Sequence, residues 1–394
     1  MYQLKFFIYS VFQIIAVIVI VLLLPLRFLR KIIFPRQFFS LWTGRPIINM
    51  GINAKAERLL GIRARSLVIK PYYVTNVFDY VLTPWSKLWL IKELLPLMVF
   101  GWICLCADRV HLYCNGLLPA QHRHTFNATE LFLYRLLGIQ LFCWTYGADV
   151  RSRQTTLSLG EPNCCTECSL VGKACVCDEQ ARKQNIERIK KYATAIFSMG
   201  DMIEYTPGSR NGLFFWPVDL NGNKVNKYDP VFPDADTARP LRIVHASNHR
   251  MFKGTHFLIE AIEQLKREGY AIELVLVEGM PNEKALAIYR SADVIFDQCL
   301  VGFHGFFAIE GMALGKPVMS FIRKPQEYLL YSDECPIINT QRFLLKNDLR
   351  KLAENRHLLS EIGMKGRRYI EKYFTLEAFS GRLANAYKEL EIAQ

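Results

Sequence analysis

The longest apolar run in the chain stands at its start. From Phe6 to Leu26 no residue is charged, and Ile14 to Leu24 is unbroken hydrophobic sequence. At about 1.5 Å per residue this stretch just covers a hydrocarbon core of roughly 30 Å, so it reads as a transmembrane helix. Lys5 precedes it; Arg27, Arg30, Lys31 and Arg36 follow, and no small-residue cleavage site does, which disfavours a secretory signal peptide. The excess of cations after the run places the body of the protein in the cytoplasm.

Beyond the anchor the pattern shortens. The apolar stretch Ile47–Met50 reads as a strand, Ala54–Leu60 as a helix stopped by Gly61, and Ser66–Ile69 as a second strand. Trp85–Cys106 is strongly apolar but interrupted by Lys87, Lys92, Glu93 and Pro96, which suits a core or interfacial helix better than a second span. Strands follow at Arg109–Tyr113 and Gln140–Tyr146. Pro217–Pro240 is polar, rich in Pro, Asn and Asp, and reads as a linker. After it the alternation is clean: strands at Leu241–Ala246, Ile272–Val277, Val294–Asp297 and Pro317–Phe321, with helices at Gly254–Lys266, Asn282–Arg290 and Phe306–Leu314. Strand–helix alternation of this kind predicts a doubly wound parallel sheet, with ligands at the strand C-termini. Helices between Leu345 and Leu390 close the chain.

The 394 residues suffice for two domains, and a composition 51% hydrophobic and 22% charged is that of a folded protein. The net charge of +13 suits an anionic membrane surface and a phosphorylated ligand. No basic tract with interleaved aromatics points to nucleic acid, which is not expected as a partner. Of the eleven cysteines, Cys104, Cys106, Cys114, Cys143, Cys299 and Cys335 stand singly or in apolar runs and read as buried thiols. Five others crowd between Cys164 and Cys177. In a reducing compartment Cys165, Cys168, Cys175 and Cys177 could form a structural zinc site, with free thiols and a disulfide as the alternatives.

Two loops carry the chemistry. Ser247-Asn248-His249-Arg250-Met251-Phe252-Lys253-Gly254 joins a strand to a helix N-terminus, where free N–H groups favour an anion, and Arg250 and Lys253 add two cations. Gly302-Phe303-His304-Gly305 repeats the design ahead of a helix opening at Phe306, with Gly305 allowing close backbone approach to a phosphate. Glu310 lies early in that otherwise apolar helix and needs a partner, for which two ribose hydroxyls would serve.

These segments resemble the retaining glycosyltransferases of the large group-1 type (family 4). Arg250-x-x-Lys253-Gly254-Thr255, Ala292-Asp293-Val294 and Glu310-Gly311-Met312-Ala313-Leu314-Gly315-Lys316-Pro317-Val318 match in order and spacing, and the likeness is good from Leu241 to Phe321. The resemblance implies an α/β protein of two Rossmann-like domains, the glycosyltransferase B-type fold. Residues 1–35 would be the anchor, 36–235 the acceptor-side domain with the cysteine cluster at 164–177, and 236–375 the nucleotide-sugar donor domain. A C-terminal helix at 376–394 would pack back on the first domain. By resemblance Arg250 and Lys253 neutralise the donor diphosphate, Glu310 binds its ribose, and Gly279 and Met280 flank the base. Gly305, Phe306 and His304 complete the donor side. Tyr146, Gly147, Asp149 and Arg151 fall on the loop that faces acceptor or sugar, with Asp149 a candidate catalytic carboxylate. His111, in a strand-like run, reads as a core histidine.

The sequence departs from the family where a first glutamate normally stands, separated from the second by seven residues; Gly302 occupies that place before Glu310, with His304 a candidate substitute. Asn248 replaces an arginine and Tyr146 a histidine. No Asp-x-Asp metal motif stands where a donor would need one, so catalysis is expected without a metal cofactor. The reading is a transferase moving a sugar from a nucleotide-diphosphate-sugar to a membrane-associated, lipid-linked acceptor in surface-glycan synthesis. The rivals are a catalytically inactive membrane scaffold, which Gly302 favours, and an epimerase of the same fold, which the anchor disfavours.

Overall fold

The computed structural model describes residues 2–34, 38–72, 75, 77–86, 89–113, 115–122, 124–166, 168–222 and 228–390, with the backbone alone at 2–6, 85–86, 89–93 and 175. Arg36, Cys114 and the Cys175 side chain, named above, lie outside the described residues. The chain forms two units: 1–153, 172–215 and 380–394 make the first, 154–171 and 216–379 the second.

The first unit holds α1 (Tyr2–Ile33), β1 (Phe39–Gly44), α2 (Met50–Arg58), β2 (Arg63–Val68), β3 (Tyr80–Val81), α3 (Thr83–Ser86), α4 (Trp89–Cys106), β4 (Arg109–Tyr113), α5 (Ala128–Leu136) and β5 (Gln140–Trp144). After α6 (Arg153–Ser158), which runs into the second unit, it resumes with α7 (Glu179–Tyr192) and β6 (Ala195–Phe197). All six strands are parallel, in the order β3-β2-β1-β4-β5-β6. The second unit holds β7 (Leu241–Ala246), α8 (Arg250–Lys253), α9 (Thr255–Arg267), β8 (Ile272–Val277), α10 (Asn282–Arg290), β9 (Val294–Gln298), α11 (Phe306–Ala313), β10 (Val318–Ser320), α12 (Pro325–Tyr328), β11 (Ile338–Asn339), α13 (Leu345–Glu354) and α14 (Leu359–Tyr373). Its parallel sheet has the order β11-β10-β9-β7-β8. The last helix, α15 (Leu376–Glu389), ends in the first unit. Within the described residues α1 includes a stretch, Phe7–Ile33, long and apolar enough to cross a membrane.

Three readings change. The first strand is Phe39–Gly44, not Ile47–Met50; the latter residues are the buried turn into α2. A short apolar run does not separate strand from buried helix start by periodicity. The boundary falls near Trp216 rather than 235, because the supposed linker packs on the second unit. There Val218 N–H donates to Phe374 O at 2.7 Å, Val231 N–H to Leu314 O at 2.9 Å, and Tyr228 is buried. Residues 154–171 also belong to that unit, with Cys164 and Cys165 in its apolar core.

The first unit is organised around a buried carboxylate. Glu57 of α2 accepts from Ser40 Oγ at 2.8 Å, Trp42 Nε1 at 2.5 Å, Arg109 Nη1 at 2.9 Å and Tyr387 Oη at 2.8 Å. These bonds tie α2 to β1, β4 and the C-terminal residues from 380 on, which is why α15 returns to this unit. His111 is a core histidine, stacked 3.7 Å from Trp42 and accepting from Trp144 Nε1 at 3.0 Å. Removing one partner of a buried ion pair strands the other, at about 3–5 kcal/mol. Glu57→Ala and Arg109→Ala should each lose that much in denaturant unfolding, and the double variant should lose clearly less than their sum.

Candidate functional site

The order of the second sheet reverses between β7 and β9. In open parallel sheets ligands gather in the crevice beyond the strand C-termini at such a reversal. The two loops singled out above leave from these two strands.

Asp297, fully buried near the end of β9, joins them. Its Oδ1 accepts from Lys253 Nζ at 2.6 Å, and its Oδ2 from Gly305 N–H at 2.5 Å and Ser320 Oγ at 3.4 Å. Burial pushes this carboxyl upward, but the Lys253 charge, its hydrogen bond and the Gly305 N–H outweigh it and hold Asp297 below the ordinary carboxylate value. The loops also interlock through backbone. Cys299 N–H donates to Lys253 O at 3.1 Å, and Gly254, at φ +77°, leaves only 2.5 Å between an added Cβ and Cys299 Sγ. An added Cβ at Gly305 would stand 3.6 Å from Lys253 Nζ. The ammonium, the glycine and the start of α11 therefore form one spot. Gly305 caps α11 without a side-chain bond, so the first N–H groups of that helix start beside this spot with no capping side chain. An ammonium has three donors, and Asp297 takes one. The arrangement can hold an anion.

Arg250 is exposed and forks onto Glu278, with Nε and Nη2 each 2.6 Å from a carboxylate oxygen. Gly279, at φ +63°, and Met280 follow Glu278 on the way into α10. Glu310 is buried with partners from within the protein: its Oε1 accepts from Tyr228 Oη at 3.0 Å and Asn282 Nδ2 at 2.8 Å. Burial pushes it up to about 7, against those two bonds. His304 is buried beside Phe303 and edge-on to Trp216, and burial pushes it down to about 4, so it is neutral near pH 7. Gly302 has φ +94°, and an added Cβ would lie 3.1 Å from Arg323 Nε. A glutamate there would meet both backbone strain and Arg323. Asp297, Asn282, Tyr228 and Arg323 were not singled out from sequence. Asp297 had a signal, a carboxylate ending an apolar strand just before a glycine loop.

In the first unit Tyr146, Gly147, Asp149 and Arg151 share the loop after β5. Asp149 is buried with Oδ1 accepting from Gly147 N–H at 2.8 Å and Tyr146 N–H at 3.1 Å, so its carboxyl staples its own loop. Burial raises its pKa despite those bonds. Arg151 forks onto Asp201, one bond being 2.8 Å, and Arg182 of α7 holds Ala148 O at 2.7 Å. A separate pocket of about 580 Å³ opens at the C-terminal ends of β1, β2 and β4, lined by Gly44, Arg45, Lys70, Asn115, His122 and His124 among others. Among the described residues no group of three or more His, Cys, Asp or Glu gathers as metal ligands, and Cys165 is instead packed in an apolar core.

No family model matches the chain, and no curated protein does. Solved structures do. A sucrose-phosphate synthase from Thermosynechococcus elongatus matches at TM-score 0.54 and 13% identity, over 90% of this chain and 99% of its own. The Anabaena protein HepE, in complex with UDP-glucose, matches at 0.53 and 11%, over 89% and 99%. A glycosyltransferase from Rickettsia africae matches at 0.52 and 12%, over 91% and 100%. The chain has their fold, two Rossmann-like domains of the glycosyltransferase B type, and carries an N-terminal apolar helix.

The Glu310 environment has a pH signature. In the unfolded chain its proton leaves near the ordinary 4.5, in the folded protein near 7. Between these values the folded state binds more protons, so stability falls as pH rises. Glu310→Gln should flatten that part of the stability–pH curve, measured by urea unfolding at pH 5, 6, 7 and 8.

Proposed function

We propose that the chain is a membrane-anchored glycosyltransferase that moves a sugar from a nucleotide-diphosphate-sugar to a membrane-associated, lipid-linked acceptor in surface-glycan synthesis, with retention at the sugar. The observation that carries the reading is the Lys253–Asp297–Gly305 cluster at the reversal of the second sheet. The shared fold supports it, and so does the binding of UDP-glucose by one protein of that fold.

In this reading the diphosphate lies against Gly305 and the start of α11. Lys253 and the helix N–H groups stabilise the charge that develops on the leaving phosphate, the term that dominates such transfers. Asp297 holds the ammonium in place, and Arg250 leaves Glu278 to close on the phosphates. Glu310 exchanges its bond from Tyr228 or Asn282 for ribose hydroxyls. No metal cofactor is assigned a part. Asp149 orders the acceptor-side loop, and Tyr146, Gly147 and Arg151 shape it. Retention is part of this reading through the group-1 resemblance, and a leaving phosphate that assists attack on the same face would supply it without a protein nucleophile. The helix α1 crosses the bilayer once, and the cations after it keep the parts of the chain that lie outside the bilayer on the cytoplasmic side.

A second reading, an inactive scaffold, is favoured by Gly302 in place of the usual glutamate and by the partners Glu310 Oε1 already has within the protein. Calorimetry with UDP, GDP and ADP on detergent-solubilised protein separates the two. One diphosphate should bind selectively, and Lys253→Ala should weaken it more than tenfold, about 1.4 kcal/mol or more. Glu310→Ala should do the same. The corresponding monophosphate should be far less sensitive to Lys253. Folded wild-type protein that binds none of the three would contradict the transferase as proposed and favour the scaffold.

A further inference from the structure

The anchor is not a free tether in this fold. One stripe of α1, Phe12, Ala16, Val19, Ile20 and Arg27, is turned toward the first unit, with Ala16 and Ile20 in its core and Phe12 and Val19 packed against it. The helix lies along α4 and touches α5. Gly101 of α4 makes the close approach possible, since an added Cβ would stand 3.3 Å from Val19 and 3.5 Å from Leu23. Arg27 is buried at the end of this seam, donating to Cys104 O at 2.8 Å and Ala107 O at 2.9 Å. A helix held in this way from Phe12 to Arg27 cannot enter a bilayer and leave its partners behind.

Its partners are suited to go with it. From Leu94 to Cys106 α4 has no charged residue, and it is apolar all round. One side is core, through Leu95, Leu97, Phe100 and Ile103. Leu94, Met98 and Trp102, spaced by four, form an outward stripe on which Met98 is 60% exposed. On α5, which α1 also touches, Phe132 and Leu136 are exposed, the latter 59%. A helix that is apolar on every side belongs in a core or in lipid, and an exposed patch of this kind marks a contact surface. At the Arg27 end, Arg30 and Lys31 stand with Asp108, and Lys31 is half exposed. Those cations suit anionic headgroups at the edge of the apolar surface.

We propose that the first unit is seated in the bilayer: α1, the Leu94–Met98–Trp102 stripe of α4 and the Phe132–Leu136 edge of α5 form one lipid-facing surface. The occupant is the acyl region of the membrane, with its anionic headgroups at Arg30 and Lys31. This rests on the reading of α1 as a membrane anchor and extends it from one helix to a face of the enzyme.

The test uses the full chain in vesicles of phosphatidylcholine and phosphatidylglycerol, with and without bromine on the acyl chains. Trp102 is isolated as the difference between wild type and Trp102→Phe, a mild change at a partly exposed position. The proposal expects both proteins to float with vesicles and the Trp102 component to lose at least half its emission to brominated lipid while resisting aqueous iodide. Flotation with a Trp102 component quenched by iodide and not by bromine overturns the seated face and leaves the single-helix anchor standing. A component shielded from both quenchers overturns it in favour of cover by protein or a second copy. Failure to float overturns the anchor and the seated face together.

Discussion

Asp297 is a buried carboxylate that pairs with a lysine and a glycine N–H from two different loops, and the candidate site depends on that pairing. Left alone in the interior such a charge would be costly and would take up a proton. Here Lys253 and Gly305 hold it ionised. In return it fixes an ammonium and the start of α11 on one spot at the reversal of the sheet. The glycines serve the same end: Gly254 lets the β7 loop lie against Cys299, and Gly305 leaves room at the ammonium. Each unit thus has a buried carboxylate tying distant segments, Asp297 in the second and Glu57 in the first.

Much of the second unit was legible. The bounds read for β7, β8 and α10 agree with the structure, because each is a short element with a clean period between turn residues. Arg250, Lys253, Gly305 and Glu310 could be named from loop chemistry and resemblance. Their partners could not. Tyr228 reaches Glu310 across 82 residues from a segment whose polar, proline-rich composition reads as a linker. Asn282 looks like an ordinary helix start. Long-range hydrogen bonds leave no local pattern, so a carboxyl expected to wait for ribose hydroxyls proves to have partners of its own. In the first unit β1 was placed one segment late, since two apolar runs flank Gly44 and only the sheet register decides between them.

The departures from the group-1 pattern have a structural basis at Gly302. Its left-handed backbone makes glycine the fitting residue, and an added Cβ would crowd Arg323. Glu310 illustrates the complementary point. A carboxyl pushed up to about 7 stands close to its protonation midpoint at neutral pH, where modest changes in its surroundings alter its charge. The same economy of apolar packing marks α1, whose docking along α4 and α5 makes this long apolar helix part of the first unit's architecture.

Hydrogen–deuterium exchange with and without a saturating nucleoside diphosphate tests the central claim most directly. Slowed exchange is expected at the backbone amides of residues 250–256 and 304–309, strongest at Phe306 and Phe307. Saturated binding that leaves both segments unprotected, with protection elsewhere, would contradict it.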